Sequence, residues 1–172
     1  MPLSMILATG LNGELGQNNQ LLMHIPEDLK HFKKVTDGKV VVMGSKTAAS
    51  LPNGKPLPNR VNIVMTRQPY ENGCEGFLRC NDYKKILKIA ETEDVLIIGG
   101  AEIYKLFEEY VKTVYHTIIK TDFENADTYY NVDLYLRERT KDYRCQWLGD
   151  SFSGNFNVEF FKFTRLKRKE FC

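Results

Sequence analysis

Three short apolar runs constrain this chain more than anything else in it: VVVM (Val40–Met43), NIVM (Asn62–Met65) and VLII (Val95–Ile98) each stop abruptly at glycine or polar residues. Runs this short, rich in β-branched residues and bounded by turn formers, read as buried strands. Segments with helical spacing alternate with them. The expected fold is therefore α/β, a central mixed, mostly parallel β-sheet flanked by helices on both faces. In such a sheet the strand ends share one edge and line a crevice where ligands bind. The 172 residues, 42% apolar and 27% charged, fit one domain spanning 1–172.

A net charge of +2 gives no electrostatic footprint for nucleic acid or an anionic membrane. The basic stretch Arg165, Lys167, Arg168 and Lys169 reads as a solvated strand end or tail. Cys74, Cys80, Cys145 and Cys172 form no C-x-x-C pair and have no histidine at ligand spacing, so no zinc or redox motif is expected. Free thiols in a reducing compartment are the simpler reading. The start MPLSMILATG lacks a basic region and a long apolar run, and nowhere do ~18 apolar residues follow one another. The expectation is a soluble, cytoplasmic protein.

Along the chain, SMILATGL is the first apolar run; it ends at Asn12-Gly13, and a polar loop is expected through Gly16 to Gln20. Pro26 stands at a first helical position, and Leu29, Phe32 and Val35 recur at helical spacing, which predicts a helix from Pro26 to Thr36 stopped by Asp37-Gly38. LPNGKPLPNR carries three prolines and a glycine in ten residues and must be loop. A helix over Asp82–Thr92, a strand over Asp94–Ile98, a helix over Ala101–Tyr110 and a strand over Thr113–Lys120 follow. VEFFKFTRL, behind a Ser-Gly-Asn turn, points to antiparallel C-terminal strands.

The three strand ends carry the first functional signal. In DVLIIGGAEIY, Gly99-Gly100 allows a phosphate to approach the backbone at a helix start. In VVVMGSKT, Gly44, Ser45, Lys46 and Thr47 offer a cation, two hydroxyls and helix-start N–H groups, a set that suits a pyrophosphate although the spacing is not that of a Walker A loop. In IVMTR, Thr66 and Arg67 put a hydroxyl beside a guanidinium, a pair able to hold the ribose 2′-phosphate that separates NADP from NAD. Singly these are a turn, a helix cap with a solvent lysine, and a surface arginine. Their weight comes from converging on one sheet edge.

Asp28 is the second signal. In a first helical turn an acid ordinarily stabilises the helix start by ~0.3–1 kcal/mol. Here Asp28 and Phe32 stand at i, i+4 on a side that also carries Leu29, so the acid shares a half-apolar face and requires a partner.

Seven segments, ILATGLNGELG, IPEDLKHFKKVT, VVVMGSKT, SLPNGKPLPNR, NIVMTR, VLIIGGAEIYKLF and VYHTII, come in an order that resembles the dihydrofolate reductase family. The resemblance is clearest from Met5 to Thr121 and implies that family's fold. It implies hydride transfer from the nicotinamide C4 of NADPH to C6 of dihydrofolate with protonation at N5, and it implies a monomer open to antifolate inhibitors. Asp28 would bind the pteridine ring N–H and 2-amino group with both carboxylate oxygens, and Thr117 would hydrogen-bond that carboxylate. Phe32 would pack on the pteridine and benzoyl rings, Ser50 and Leu51 would border the benzoyl group, and Arg60 would pair with the glutamate α-carboxylate. Leu7 and Ala8 would line the pterin and nicotinamide sites. Leu15 to Leu22, with Gly16, Gln20 and Leu21, would form a mobile loop over the nicotinamide, braced by a loop at Asp127-Thr128. Ile98 and Tyr104 would flank the nicotinamide, with Ala101, Glu102 and Ile103 beside the cofactor, and Gly99-Gly100 would be joined by a cis bond.

Two positions depart from the family's pattern. Met23 stands where a tryptophan usually holds a water near the pteridine, and a thioether cannot donate a hydrogen bond, so the water network is expected to differ. Ser45 stands where many bacterial members carry an arginine for the 2′-phosphate, leaving Lys46 and Arg67 to supply the charge. A riboflavin-pathway reductase of the same superfamily would keep the strand ends but lack the P-E-D helix start and the P-L-P-x-R arginine. A nucleotide-binding structural component of an assembly is the non-enzymatic alternative.

Overall fold

The computed structural model describes residues 3–68, 75–132, 136 and 142–166. The run Val40–Gly44 (β4) is buried through Met43 and sits deep in an eight-stranded sheet, flanked on either side by the other two apolar runs, Val61–Met65 (β5) and Val95–Gly99 (β7). The remaining strands of that sheet are Leu3–Thr9 (β1), Phe77–Cys80 (β6), Thr113–Ile119 (β8), Tyr143–Ser153 (β10) and Phe156–Arg165 (β11). Their spatial order is β10-β11-β8-β1-β7-β4-β5-β6. All pairings from β8 to β6 are parallel, while β11 runs antiparallel to both β8 and β10.

Helices cover both faces, as two separate clusters of core side chains show. Pro26–Thr36 (α1) and Ser45–Ser50 (α2) lie on the face carrying Ile6, Val41, Met43 and Leu96, where Phe32, Val35 and Ala48 pack. Tyr83–Ile89 (α3) and Ala101–Phe107 (α4) lie on the other, where Ile86, Tyr104 and Phe107 pack against Met5, Leu7, Val42 and Ile97.

α1 keeps the limits its proline start and Asp-Gly stop predict. The other two predicted helices are shorter. Asp82 stands outside α3 as its N-cap, its carboxylate accepting from Lys84 N at 2.9 Å, which satisfies an otherwise unpaired helix-start donor. α4 stops at Phe107, and the backbone then turns, Tyr110 N donating to Phe107 O. The stretch expected as a polar loop instead contains strands Glu14–Gln17 (β2) and Gln20–Leu21 (β3), turning at Asn18 and Asn19 with φ of 51° and 59°. Asparagine tolerates that left-handed geometry, which two-residue hairpins need. β2 also pairs with Thr128–Tyr129 (β9), so this small sheet joins segments more than a hundred residues apart.

Cys80 and Cys145 are free thiols, and Cys74 and Cys172 lie outside the described residues. So do Lys167, Arg168 and Lys169, whereas Arg165 donates from Nη1 to Glu109 O at 3.0 Å. Among the described residues no helix is long and apolar enough to cross a membrane.

His116, in the middle of β8, is 1% exposed, and its Nε2 shares a 2.8 Å hydrogen bond with Thr9 Oγ1. Burial pushes its pKa down to about 3 from an ordinary 6.5. The fold therefore holds a neutral imidazole. Its contribution is whole above pH 6.5 and is lost as pH falls, because the unfolded chain takes up a proton that the folded one refuses. Each unit below 6.5 costs about 1.4 kcal/mol, or about 2 kcal/mol at pH 5. Urea unfolding at pH 7 and pH 5 should show that loss for the natural chain and a smaller one for His116→Gln; equal losses in both would remove His116 as the cause.

Candidate functional site

The register of the sheet brings the three strand ends together. Gly44 pairs with Met65 across β4 and β5, and Met43 pairs with Gly99 across β4 and β7, so Gly44, Thr66 and Gly99-Gly100 lie along one edge. The Gly99–Gly100 peptide is cis. A Cβ on Gly44 would lie 3.2 Å from Ile103 and 4.0 Å from Gly100 N, and one on Gly99 would lie 3.4 Å from both Thr47 Oγ1 and Tyr104 Oη. Two strand ends thus meet without side chains between them, with the Thr47 hydroxyl beside them. Ser45, Lys46, Arg67 and Glu102 are exposed at this edge, while Thr66, Ala101 and Ile103 are half-buried.

Tyr104, 4% exposed, donates from its hydroxyl to Ile6 O at 2.8 Å and packs against the Tyr130 ring. Burial, with the Asp28 charge adding to it, pushes this phenol well above its ordinary range, so it remains a donor at all working pH values. Its hydroxyl ties α4 to β1 between the glycine floor and the acid site.

That acid site is a cleft lined by Ala8 of β1, Leu15 and Leu21 of the hairpin, Met23, and Asp28 and Leu29 of α1; Leu22, Ile25 and Ile119 complete it. Among the described residues Asp28 is the sole ionisable one that lines it. Thr117 Oγ1 donates to Asp28 Oδ1 at 2.7 Å, joining α1 to β8 across 89 residues of sequence. Thr117 is itself fixed by its strand, paired with Ala8 on one side and Phe160 on the other. Burial raises the Asp28 carboxyl above its ordinary 3.8, and the Thr117 hydroxyl and the His31 charge oppose that rise. The result is a carboxylate in an apolar pocket with one oxygen already braced and its remaining lone pairs available to a polar ring.

At the far end of α1, the Arg60 guanidinium is held from two sides: Nε donates to Thr36 Oγ1 and Nη1 to Pro58 O, both at 2.8 Å. Phe32, Leu51 and Leu57 pack against the core cluster on the α1 face of the sheet. Ser50 is exposed and donates to Thr47 O, at the last turn of α2. Ile98 is buried on this face as well. The Leu7 side chain is placed differently from that of Ala8. Neighbouring strand residues face opposite ways, so with Ala8 on the cleft the Leu7 side chain lies in the opposite core beside Met5 and Leu3.

Over the cleft, the β2–β3 hairpin carries Leu15, Gly16, Gln20 and Leu21, with Leu21 67% exposed at the rim. Asp127 braces it: its backbone N donates to Gly16 O at 3.1 Å and its carboxylate accepts from Asn18 N at 2.8 Å. The Asn18 N–H, with the Thr128 hydroxyl, holds the Asp127 carboxyl below the usual range. The Met23 side chain packs against the cluster of Ile25, Ile119, Val158 and Phe160.

Three residues that shape the site went unnoticed in the sequence. Asn62, 2% exposed, donates to Leu57 O and Arg60 O and accepts from Leu57 N, folding the PLPNR loop onto β5. Glu14, also 2% exposed, accepts from Asn12 N and Phe123 N, and a Cβ at Gly10 would stand 2.6 Å from its Oε2. His31 lies on the Asp28 side of α1. A polar residue inside an apolar run, as in VNIVM, is a signal worth reading, because buried polar groups demand partners. Glu14 and His31 carry no such signal.

The family model for dihydrofolate reductase matches residues 2–164. Dihydrofolate reductase of Haemophilus influenzae is 37% identical over 131 residues, covering 76% of this chain and 79% of its own. That of Bacillus subtilis is 39% identical over 123 residues, 71% of each chain, and that of Ureaplasma parvum 36% over 131 residues, 76% and 83%. A braced acid in an apolar cleft, a side-chain-free edge beside it and a family match over nearly the whole length lead to one conclusion: this chain belongs to the dihydrofolate reductase family.

Proposed function

We propose that the protein reduces 7,8-dihydrofolate to 5,6,7,8-tetrahydrofolate with NADPH as reductant, and that Asp28 anchors the pteridine. The observation that carries this reading is the Asp28–Thr117 bond: a half-buried carboxylate, fixed by a strand hydroxyl, in a cleft otherwise lined by apolar residues. Such an acid suits a flat heterocycle with adjacent N–H and amino donors, because two parallel bonds to one carboxylate set orientation as well as affinity. Phe32 and Leu51 line the way towards Arg60, whose fixed guanidinium suits the α-carboxylate of the substrate's glutamate.

The strand edge fits a nicotinamide dinucleotide. Gly44, Gly99 and Gly100 leave a floor that a Cβ would fill, Thr47 offers a hydroxyl there, and Lys46 and Arg67 are exposed cations at the same edge. These residues, with Ser45, Thr66, Ala101, Glu102, Ile103 and Tyr104, would hold NADPH, and Ala8, Leu15, Gly16, Gln20, Leu21 and Ile98 would enclose its reactive end. When bound there, the reduced nicotinamide supplies the hydride gained at pteridine C6. The chain's own work is to align the ring, exclude water and bias protonation. Asp28 orients and polarises the pteridine, with Thr117 as its positioning residue. The N5 proton comes by way of water, since the described lining of the cleft offers no second acid. In this reading the enzyme is a single-domain, cytoplasmic monomer that antifolates inhibit by competing for Asp28.

Following NADPH oxidation with dihydrofolate tests the reading. Turnover by the natural chain that falls on the order of 100-fold in Asp28→Asn is expected. Binding of NADPH without any turnover would favour a structural nucleotide-binding role instead. For the cofactor's phosphate, Arg67→Ala should weaken NADPH much more than NADH. Equal weakening of the two would count against Arg67 as the phosphate partner.

A further inference from the structure

α1 is fastened to the sheet at two places one turn apart. At the first, Asp28 accepts from Thr117. At the second, the His31 ring sits in the corner between Tyr115 of β8 and Phe160 of β11, its centroid 6.2 Å from one ring and 5.0 Å from the other. Those two aromatics bracket Thr117: Phe160 is its partner across the ladder, and Tyr115 is two residues away on the same face of β8. Both fastenings therefore fall on one small patch of sheet, and i, i+3 spacing puts the imidazole and the carboxylate on the same side of the helix.

We propose that His31 is a positioning residue for Asp28: its ring fixes the first turns of α1 against β8 and β11, and its charge state controls the ionisation of the carboxylate. This rests on the reading of Asp28 as the substrate anchor. The groups facing the imidazole are Asp28 and Lys34 from α1, the Tyr115 ring from β8 and, from β11, Lys162, whose ammonium lies 5.5 Å from the centre of that ring. Burial lowers the His31 pKa, Asp28 raises it and Lys34 lowers it further, while the His31 charge in turn lowers Asp28. Each charge therefore acts on the titration of the other. An imidazolium favours the carboxylate, so a neutral side chain at position 31 must raise the pH at which Asp28 ionises, and a permanent cation must not.

The test is the pH dependence of kcat/KM for dihydrofolate in the natural enzyme, His31→Gln and His31→Arg. The acid limb should move up in the first variant by on the order of half a pH unit and should not move up in the second. An upward shift in the neutral variant that the cationic one lacks is what loss of packing alone would not produce; an upward shift in both, or none in the neutral variant, overturns the proposal. Should either variant fail to fold, proton NMR titration of His31 in the natural chain and in Asp28→Asn decides the matter, because the coupling is reciprocal. The His31 midpoint must fall when the carboxylate is removed, and an unchanged midpoint overturns the proposal. Natural turnover in Asp28→Asn would instead overturn the anchoring role of Asp28 while leaving the titration coupling measurable, so the two failures are distinguishable.

Discussion

The hydrogen bond from Thr117 to Asp28 joins the element that presents the acid to the strand that fixes its place. β8 is paired with β1 on one side and β11 on the other, so Thr117 cannot move without dragging three strands. Because the carboxylate is braced by a rigid element, it can be buried and still face the cleft in one orientation. That is the condition for a single acid to orient a bound ring. Burial alone would raise its pKa and favour the neutral form, and the hydroxyl counters this.

The rest of the site follows from the sheet. The parallel register of β7, β4 and β5 aligns their ends, and β4 and β7 each end in a glycine. β1, next to β7, carries Ala8 to the cleft, and its neighbour Ile6 receives the Tyr104 hydroxyl from the helix that starts at Gly100. Acid site and strand edge are thus linked through neighbouring strands and one tyrosine. The hairpin above them is held by side chains: Asp127 on Asn18, and Glu14 on Phe123, whose ring packs beside Met23 and Ile25.

Much of this was legible in the sequence, for identifiable reasons. Pro26 and Asp37-Gly38 mark α1 with local chemistry, and the apolar runs mark β4, β5 and β7 by composition. Thr117 as the partner of Asp28 came only from family resemblance, since nothing local in VYHTII points 89 residues back. The β2–β3 hairpin was missed because its strands are short and stabilised by β9, a partner far along the chain. Glu14 and His31 were invisible for the same reason: a buried acid or a docked imidazole is defined by what surrounds it. Leu7 is a different case. Period-two alternation alone separates it from Ala8, and strand parity could have assigned it to the far core.

In the proposed reaction the ionised Asp28, held by Thr117, anchors the pteridine. Equilibrium binding of dihydrofolate without cofactor, measured from pH 5 to pH 9 in the natural chain and in Asp28→Asn, is the decisive measurement. The natural chain should bind tightly at high pH and more weakly as the carboxyl takes up its proton, while the variant should bind weakly at every pH. A variant that binds as tightly as the natural chain, with the same pH dependence, would contradict it.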